Sequence, residues 1–190
     1  MLKELIIKSR SCRRFVENER VDLTLLKQLV DLARLSPSGA NLQPLKYIIS
    51  NKPSTNKKIF PHLSWAGYLT NWGGPEQGER PAAYIIILGD TRIKRVIECD
   101  HGIAAQTILL GACEQGLAGC IVGSINRNNL YRDLNIPKSY EILLVLALGK
   151  SNEKIKLETA GSKGNIKYWR DADGVHHVPK RKLKDIIIKI

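Results

Sequence analysis

Three arginines and two serines crowd the stretch from Ser9 to Phe15, SRSCRRF. Arg10, Arg13 and Arg14 each offer a fork of N–H donors, and Ser9 and Ser11 add short hydroxyl donors. Such a set can clamp a phosphate, although the same residues would also make a solvated basic segment. A second stretch, SPSGANLQPLKY from Ser36 to Tyr47, packs Pro37, Pro44, Gly39, Asn41 and Gln43 into one turn. A turn of that composition is stiff and presents backbone N–H groups beside side chains that donate and accept. It suits a planar, hydrogen-bonding ligand, and it also suits an ordinary loop.

Other residues are less pointed. Trp65, Tyr68 and Trp72 have the spacing that one helical face would share, and they run into Gly73 and Gly74. Aromatics at that spacing are core, or, beside a glycine-rich loop, a lid that stacks on a planar substrate. Gly123 interrupts the apolar run CIVGSI, which marks either a close backbone approach to a ligand or a bulge. His176 and His177 are adjacent, so a strand would send them to opposite faces. They make a poor metal pair and are expected to be solvated or hydrogen-bonded. Cys12, Cys99, Cys113 and Cys120 form no CxxC pair and have no histidine at ligand spacing, so they read as free thiols of a cytoplasmic protein without a metal site.

The frame that must position these residues is a chain of 190 residues, 43% hydrophobic and 25% charged. That is ordinary for one domain, residues 1–190, with 166–190 as a C-terminal extension. The formal net charge of +12 favours anionic partners. Much of it is lysine spread over helix faces, and no zinc-finger, helix-turn-helix or glycine-rich RNA-binding pattern accompanies it, so no nucleic-acid partner is expected. No apolar run is long enough to span a membrane, and MLKELIIKSR lacks a signal peptide's cleavage site.

Hydrophobic period places the elements. Leu2 to Lys8 reads as a short helix. Asp22 caps a helix with Leu25, Leu26, Leu29, Val30, Leu32 and Ala33 on one stripe, and this helix runs into the Ser36 turn. Strands follow at 46–50, 82–88, 120–125 and 142–148, with helices at 103–114 and 128–134 and a basic helical stretch around Lys57 and Lys58. Gly149 to Gly164 reads as an exposed connection. IKYWRDADGVHHV, Ile166 to Val178, is a hairpin around DADG, and the basic tail PKRKLKDIIIKI closes as a short amphipathic helix. The alternation implies an α/β or α+β fold, with a sheet covered by helices. Neither the Rossmann glycine motif nor the P-loop is present.

Taken together, SRSCRRF and SPSGANLQP resemble the N-terminal half of the FMN-dependent nitroreductase family. Arg10, Ser11 and Arg13 match the family's Arg-Ser-x-Arg segment; Pro37, Ser38, Asn41, Gln43 and Pro44 match its Pro-Ser-x-x-Asn-x-Gln-Pro turn. The resemblance continues through DHGIAAQTILLGACEQGLAG, CIVG and VPKRKL, and so covers most of the chain. It implies an α+β three-layer sandwich, a mixed, mainly antiparallel sheet flanked by helices with an extra C-terminal β-hairpin, in a homodimer with FMN at the interface. Arg10, Ser11 and Arg13, joined by Lys180 or Arg181, would hold phosphate and ribityl chain. Pro37, Ser38, Gly39 and Asn41 would reach the flavin from the other subunit, and Ile121, Val122 and Gly123 would line the ring. Ser9, Ser36, Leu45 and Val122 depart from the family's commoner residues, which leaves the substrate class open. The function implied is hydride transfer from NADH or NADPH through the flavin to a nitroaromatic, quinone or similar planar acceptor, with Trp65, Tyr68 and Trp72 as substrate-stacking candidates. The cofactor carries the chemistry, so no catalytic acid or base is assigned. The alternatives are a flavin-binding protein without reductase activity and a basic nucleic-acid-binding protein on the same scaffold.

Overall fold

The computed structural model describes residues 1–161 and 164–188. In chain order its helices are α1 (Leu2–Lys8), α2 (Leu23–Leu35), α3 (Pro53–Ile59), α4 (Asp100–Glu114) and α5 (Arg127–Leu134). Its strands are β1 (Leu45–Ser50), β2 (Ala83–Asp90), β3 (Ala118–Val122), β4 (Tyr140–Gly149), β5 (Ile155–Thr159), β6 (Trp169–Arg170) and β7 (His176–Lys180).

Two nearly uninterrupted apolar runs, AYIIILGD and YEILLVLALG, become the adjacent central strands β2 and β4 of a sheet ordered β1-β2-β4-β3. A strand covered on both faces has no reason to alternate polar residues, so such runs belong at the centre. All three pairings in this sheet are antiparallel, and Ser11 adds a parallel bridge to Gly119 at the β3 edge. Ala83, Ile85 and Ile87 face α2 and α4, meeting Leu26, Leu29, Ala105, Ile108 and Ala112. Tyr84, Ile86 and Leu88 face the other layer, meeting Ile59, Leu63, Trp65 and Leu130 around α3 and α5. Asp22 caps α2 by accepting the Thr24 N–H at 2.6 Å. Gly116, at φ +77°, ends the last turn of α4 where a side chain would be strained.

The C-terminal part departs from expectation in two places. Residues 155–159 are not an open connection but β5, whose alternation IKLET pairs in parallel with β7, giving a second sheet ordered β5-β7-β6. The hairpin around DADG forms as β6 and β7. Both of its histidines are buried, and, of the solvated and hydrogen-bonded alternatives, the second holds: His177 meets Glu158 at 2.7 Å and Asp171 at 2.9 Å. Among its described residues the tail makes only a 3₁₀ turn, Leu183–Asp185, after which Ile186 is 60% exposed. A segment this short has no packed face to offset helix nucleation. Lys163, placed by sequence in the open connection, lies outside the described residues.

The aromatic segment is also not a helix. Ala66 takes φ +39° and the chain turns at Gly67, so Trp65, Tyr68 and Trp72 point to three different places. β3 starts at Ala118, earlier than expected, and stops at Val122, so Gly123 follows the strand rather than interrupting it.

Candidate functional site

The SRSCRRF segment lies along β3. Cys12 donates its N–H to the Gly119 carbonyl at 2.9 Å, next to the Ser11–Gly119 bridge. The approach of segment and helix requires a glycine there: a Cβ on Gly119 would stand 2.5 Å from Leu109 Cδ2 and 2.9 Å from the Ala147 carbonyl oxygen. Alternation buries Cys12, whose thiol is pushed up to about 11 mainly by burial, and turns Ser11 outward. Arg10 folds back, its Nη2 donating to the Ile6 carbonyl at 2.6 Å, while its buried Nε has no partner.

Arg13 is held from several sides. Its backbone N–H donates to Glu153 Oε2 at 2.8 Å. Its Nη1 donates to the Ser11 carbonyl at 3.2 Å and lies 3.4 Å from His176 Nε2. Its guanidinium carbon sits 5.0 Å from the centroid of the Tyr168 ring. Arg13 lines a cavity of about 270 Å³ with Trp65, Ile121, Val122 and Gly123. Two features of this cavity are unusual. Trp65 Nε1 is buried and lacks a partner. Gly123 has nothing closer to a built Cβ than Leu144 Cδ2 at 3.8 Å, so internal packing does not require a glycine there. Arg127, not singled out from sequence, pins the backbone behind the cavity: it donates to the carbonyls of Ile142 at 2.8 Å and Gly123 at 3.4 Å.

The Ser36–Tyr47 stretch is a built turn. Ser38 Oγ donates to Asp100 Oδ2 at 2.6 Å, and the Gly39 N–H donates to Asp100 Oδ1 at 3.2 Å. These bonds, led by that from Ser38, hold the Asp100 carboxyl below its ordinary range at the first residue of α4, where the helix dipole also favours negative charge. Gln43 donates to the carbonyl and Oδ1 of Asn41 at 3.2 and 3.1 Å, closing a loop in which Ala40, Asn41 and Gln43 all have positive φ. Pro37 and Asn41 are exposed. The turn borders a separate cavity of about 480 Å³ between α2 and β1, walled by Val30, Ala33, Tyr47 and Ile49.

The structure therefore brings some expected residues together and keeps others apart. Arg13, Trp65, Ile121, Val122 and Gly123 share one cavity. Arg10 lines a neighbouring depression with Cys12 and Gly119. Lys180 and Arg181 stand exposed at the end of β7 and line neither. Pro37, Ser38, Gly39 and Asn41 sit at the N-terminal end of α4, whereas Ser9 reaches the Leu109 carbonyl in its later half. The cavity beside the turn and the Arg13 cavity share no lining residue. Of the three aromatics only Trp65 reaches that cavity. Tyr68 rests on Tyr168, with centroids 4.9 Å apart, and Trp72 lies between Arg170 at 4.8 Å and Arg14 at 5.8 Å.

Sequence inspection missed the residues around Arg13 that come from the C-terminal sheet: Glu153, Tyr168, Arg170 and His176. Glu153 is almost fully buried, with Oε1 taking Arg170 Nη2 at 2.6 Å and Oε2 taking the Arg13 N–H. Burial pushes His176 below its ordinary value, which keeps it neutral beside Arg13. The DADG turn was the available signal, since it fixes the register that sets Arg170 opposite His176.

An antiparallel sheet between two helical layers, with an arginine-bearing edge and a glycine-ended strand, defines the architectural class. The model of the Nitroreductase family matches residues 6–150, and the chain belongs to that family. Among solved structures, a nitroreductase family protein from Streptococcus pneumoniae is similar over 100% of both chains, with TM-score 0.74 and 15% identity. An FMN-dependent nitroreductase from Clostridium difficile aligns with 79% of this chain and 87% of its own, with TM-score 0.64 and 23% identity. An Exiguobacterium sibiricum protein solved in complex with FMN aligns over 80% of this chain and 89% of its own, with TM-score 0.67 and 17% identity. At these identities the likeness carries the fold.

Proposed function

We propose that the protein is an FMN-dependent oxidoreductase. It would act as a homodimer in the cytoplasm and take hydride from NADH or NADPH for a planar acceptor such as a nitroaromatic or quinone. The observation that carries the reading is the cavity that Arg13 lines together with the strand end at Val122 and Gly123. The residues present fit the cofactor chemically. A flavin needs an apolar wall, donors for its polar edge and cations for its phosphate. Ile121 and Val122 provide the wall, Arg13 provides donors, and Arg10 lines the neighbouring depression. The space a side chain would fill at Gly123 leaves the backbone open to a ring. Family membership and FMN in the names of two related structures support the same cofactor.

Bound FMN would supply hydride acceptance and delivery. The chain's own work is to orient and desolvate. Val122 and Trp65 exclude water from one side of the cavity. Arg13, fixed by Glu153 and Ser11, places positive charge where an anionic ring or ribityl oxygen needs it. The turn at Ser38 to Asn41, held by Asp100, would reach the same cofactor from the second copy. No side chain is assigned a catalytic proton.

The test is spectroscopic. Protein loaded with FMN should be yellow, bleach anaerobically with NADH or NADPH, and recover colour on adding a quinone or nitroaromatic. Colourless protein that ignores added FMN overturns the reading. Yellow protein that never bleaches would instead favour a flavin-binding protein without reductase activity.

A further inference from the structure

The family match ends at residue 150, so β5, β6 and β7 lie beyond it. That extension nevertheless touches the candidate site, at Arg13. We propose that Tyr168 and His176, in the C-terminal sheet, are positioning residues for Arg13, fixing its guanidinium so that the cavity recognises the anionic or carbonyl-rich part of a flavin nucleotide. The inference rests on the flavin reading above.

The geometry has three parts. First, His176 Nε2 lies 3.4 Å from Arg13 Nη1. Arginine only donates, so Nε2 is the acceptor and the ring proton sits on Nδ1, which is buried without a partner. An imidazole in this tautomer holds one guanidinium nitrogen without adding charge. Second, the Tyr168 ring lies 5.0 Å under the guanidinium carbon and 5.2 Å from the His176 ring, so the face of Arg13 is fixed as well as its end. Third, the extension is tied to the Arg13 backbone. Arg170 of β6 pairs with Glu153, whose other oxygen takes the Arg13 N–H. A long side chain with several rotatable bonds loses much of its freedom on binding a ligand, and holding it beforehand removes that loss from the binding step. An arginine already aimed by an acceptor, a ring and a backbone anchor is preorganised in this sense.

The test uses the full chain and FMN fluorescence quenching. His176→Leu keeps apolar volume and removes the acceptor; it should weaken FMN binding about tenfold, the scale of one hydrogen bond to a charged group. His176→Gln, which offers a carbonyl oxygen in its place, should recover most of that loss. Tyr168→Leu should weaken binding about threefold and Tyr168→Phe should not, because the ring face is retained. Apoprotein melting temperatures are measured alongside: a purely structural role would make affinity track stability and would give no selective rescue by Gln or Phe. Wild-type protein that binds FMN while all four variants bind equally well overturns this inference alone. Wild-type protein that leaves FMN fluorescence unchanged overturns the flavin reading and this inference with it.

Discussion

Arg170→Met should be among the most damaging single changes outside the central sheet. The Glu153 side chain is 1% exposed and that of Arg170 12%. Their contact is 2.6 Å, and Glu153's other oxygen is already committed to the Arg13 N–H. Removing the guanidinium leaves a buried carboxylate that keeps the Arg13 N–H but loses its salt-bridge partner. Breaking a buried pair in this way costs about 3–5 kcal/mol. Losing the cation over Trp72, at 4.8 Å, adds up to about 1 kcal/mol, though the two effects share a residue and will not add in full. Methionine keeps the stem packed, so the loss reports charge rather than volume. For a chain of 190 residues this predicts a fall in melting temperature of roughly 10 °C or more. Adding Glu153→Gln removes the stranded charge while keeping an acceptor for Arg13. The double variant should regain most of the stability, giving a coupling energy of about 2 kcal/mol or more in a urea-unfolding cycle. A single-variant loss under about 1 kcal/mol, or simple additivity, would refute the buried-pair argument.

Two glycines should separate packing from binding. Gly119→Ala forces a methyl onto Leu109, Leu148 and the Ala147 carbonyl and should destabilise by about 1–3 kcal/mol. Gly123→Ala, with only Leu144 at 3.8 Å, should change stability by less than about 0.5 kcal/mol yet weaken FMN binding; equal flavin affinity would show that the backbone there meets no ring. His177 is held above its ordinary value of 6.5 by hydrogen bonds to Asp171 and Glu158. Its contribution is therefore complete below pH 6.5 and lost as pH rises through the higher folded-state value. Asp171 and Glu158 are held below 3.8 and 4.5 by their bonds to His177, so their contribution holds above those values and fades in acid. His176, pushed down by burial, pulls the other way below pH 6.5, so the difference between wild type and His177→Asn is the proper measure. That difference, from hydrogen exchange in β7, should be larger at about pH 5.5 than at about pH 8; the reverse order would disprove the assignment.

How much of this was legible in the sequence depends on whether a feature is local. The apolar runs of β2 and β4, the Asp22 cap and the DADG hairpin are local patterns, and each appears where its pattern falls. Trp65, Tyr68 and Trp72 show the limit: their helical spacing is real in sequence, but positive φ at Ala66 and the turn at Gly67 spend it on three separate contacts. β5 was written in the alternation of IKLET, yet its partner β7 lies about twenty residues on in parallel, a pairing no local rule announces. The clamp on Arg13 was invisible for the same reason. Glu153, Tyr168 and His176 meet Arg13 only because the second sheet folds against the β3 edge. The split of Arg10 from Arg13 also required coordinates, since the parallel bridge at Ser11 sends neighbouring side chains to different sides.

The proposed flavin site would be made from two chains: Arg13 and Gly123 of one, the Ser38–Asn41 turn of the other. Mixing subunits tests it directly. Arg13→Ala and Asn41→Ala proteins, each weak in FMN binding when alone, are unfolded together, refolded at equal amounts and loaded at limiting FMN. In a symmetric dimer the mixed species carries one intact site, so about a quarter of the wild-type flavin should return. Recovery no greater than the average of the separate variants would mean that each site is built within a single chain, and the shared-site account would be wrong.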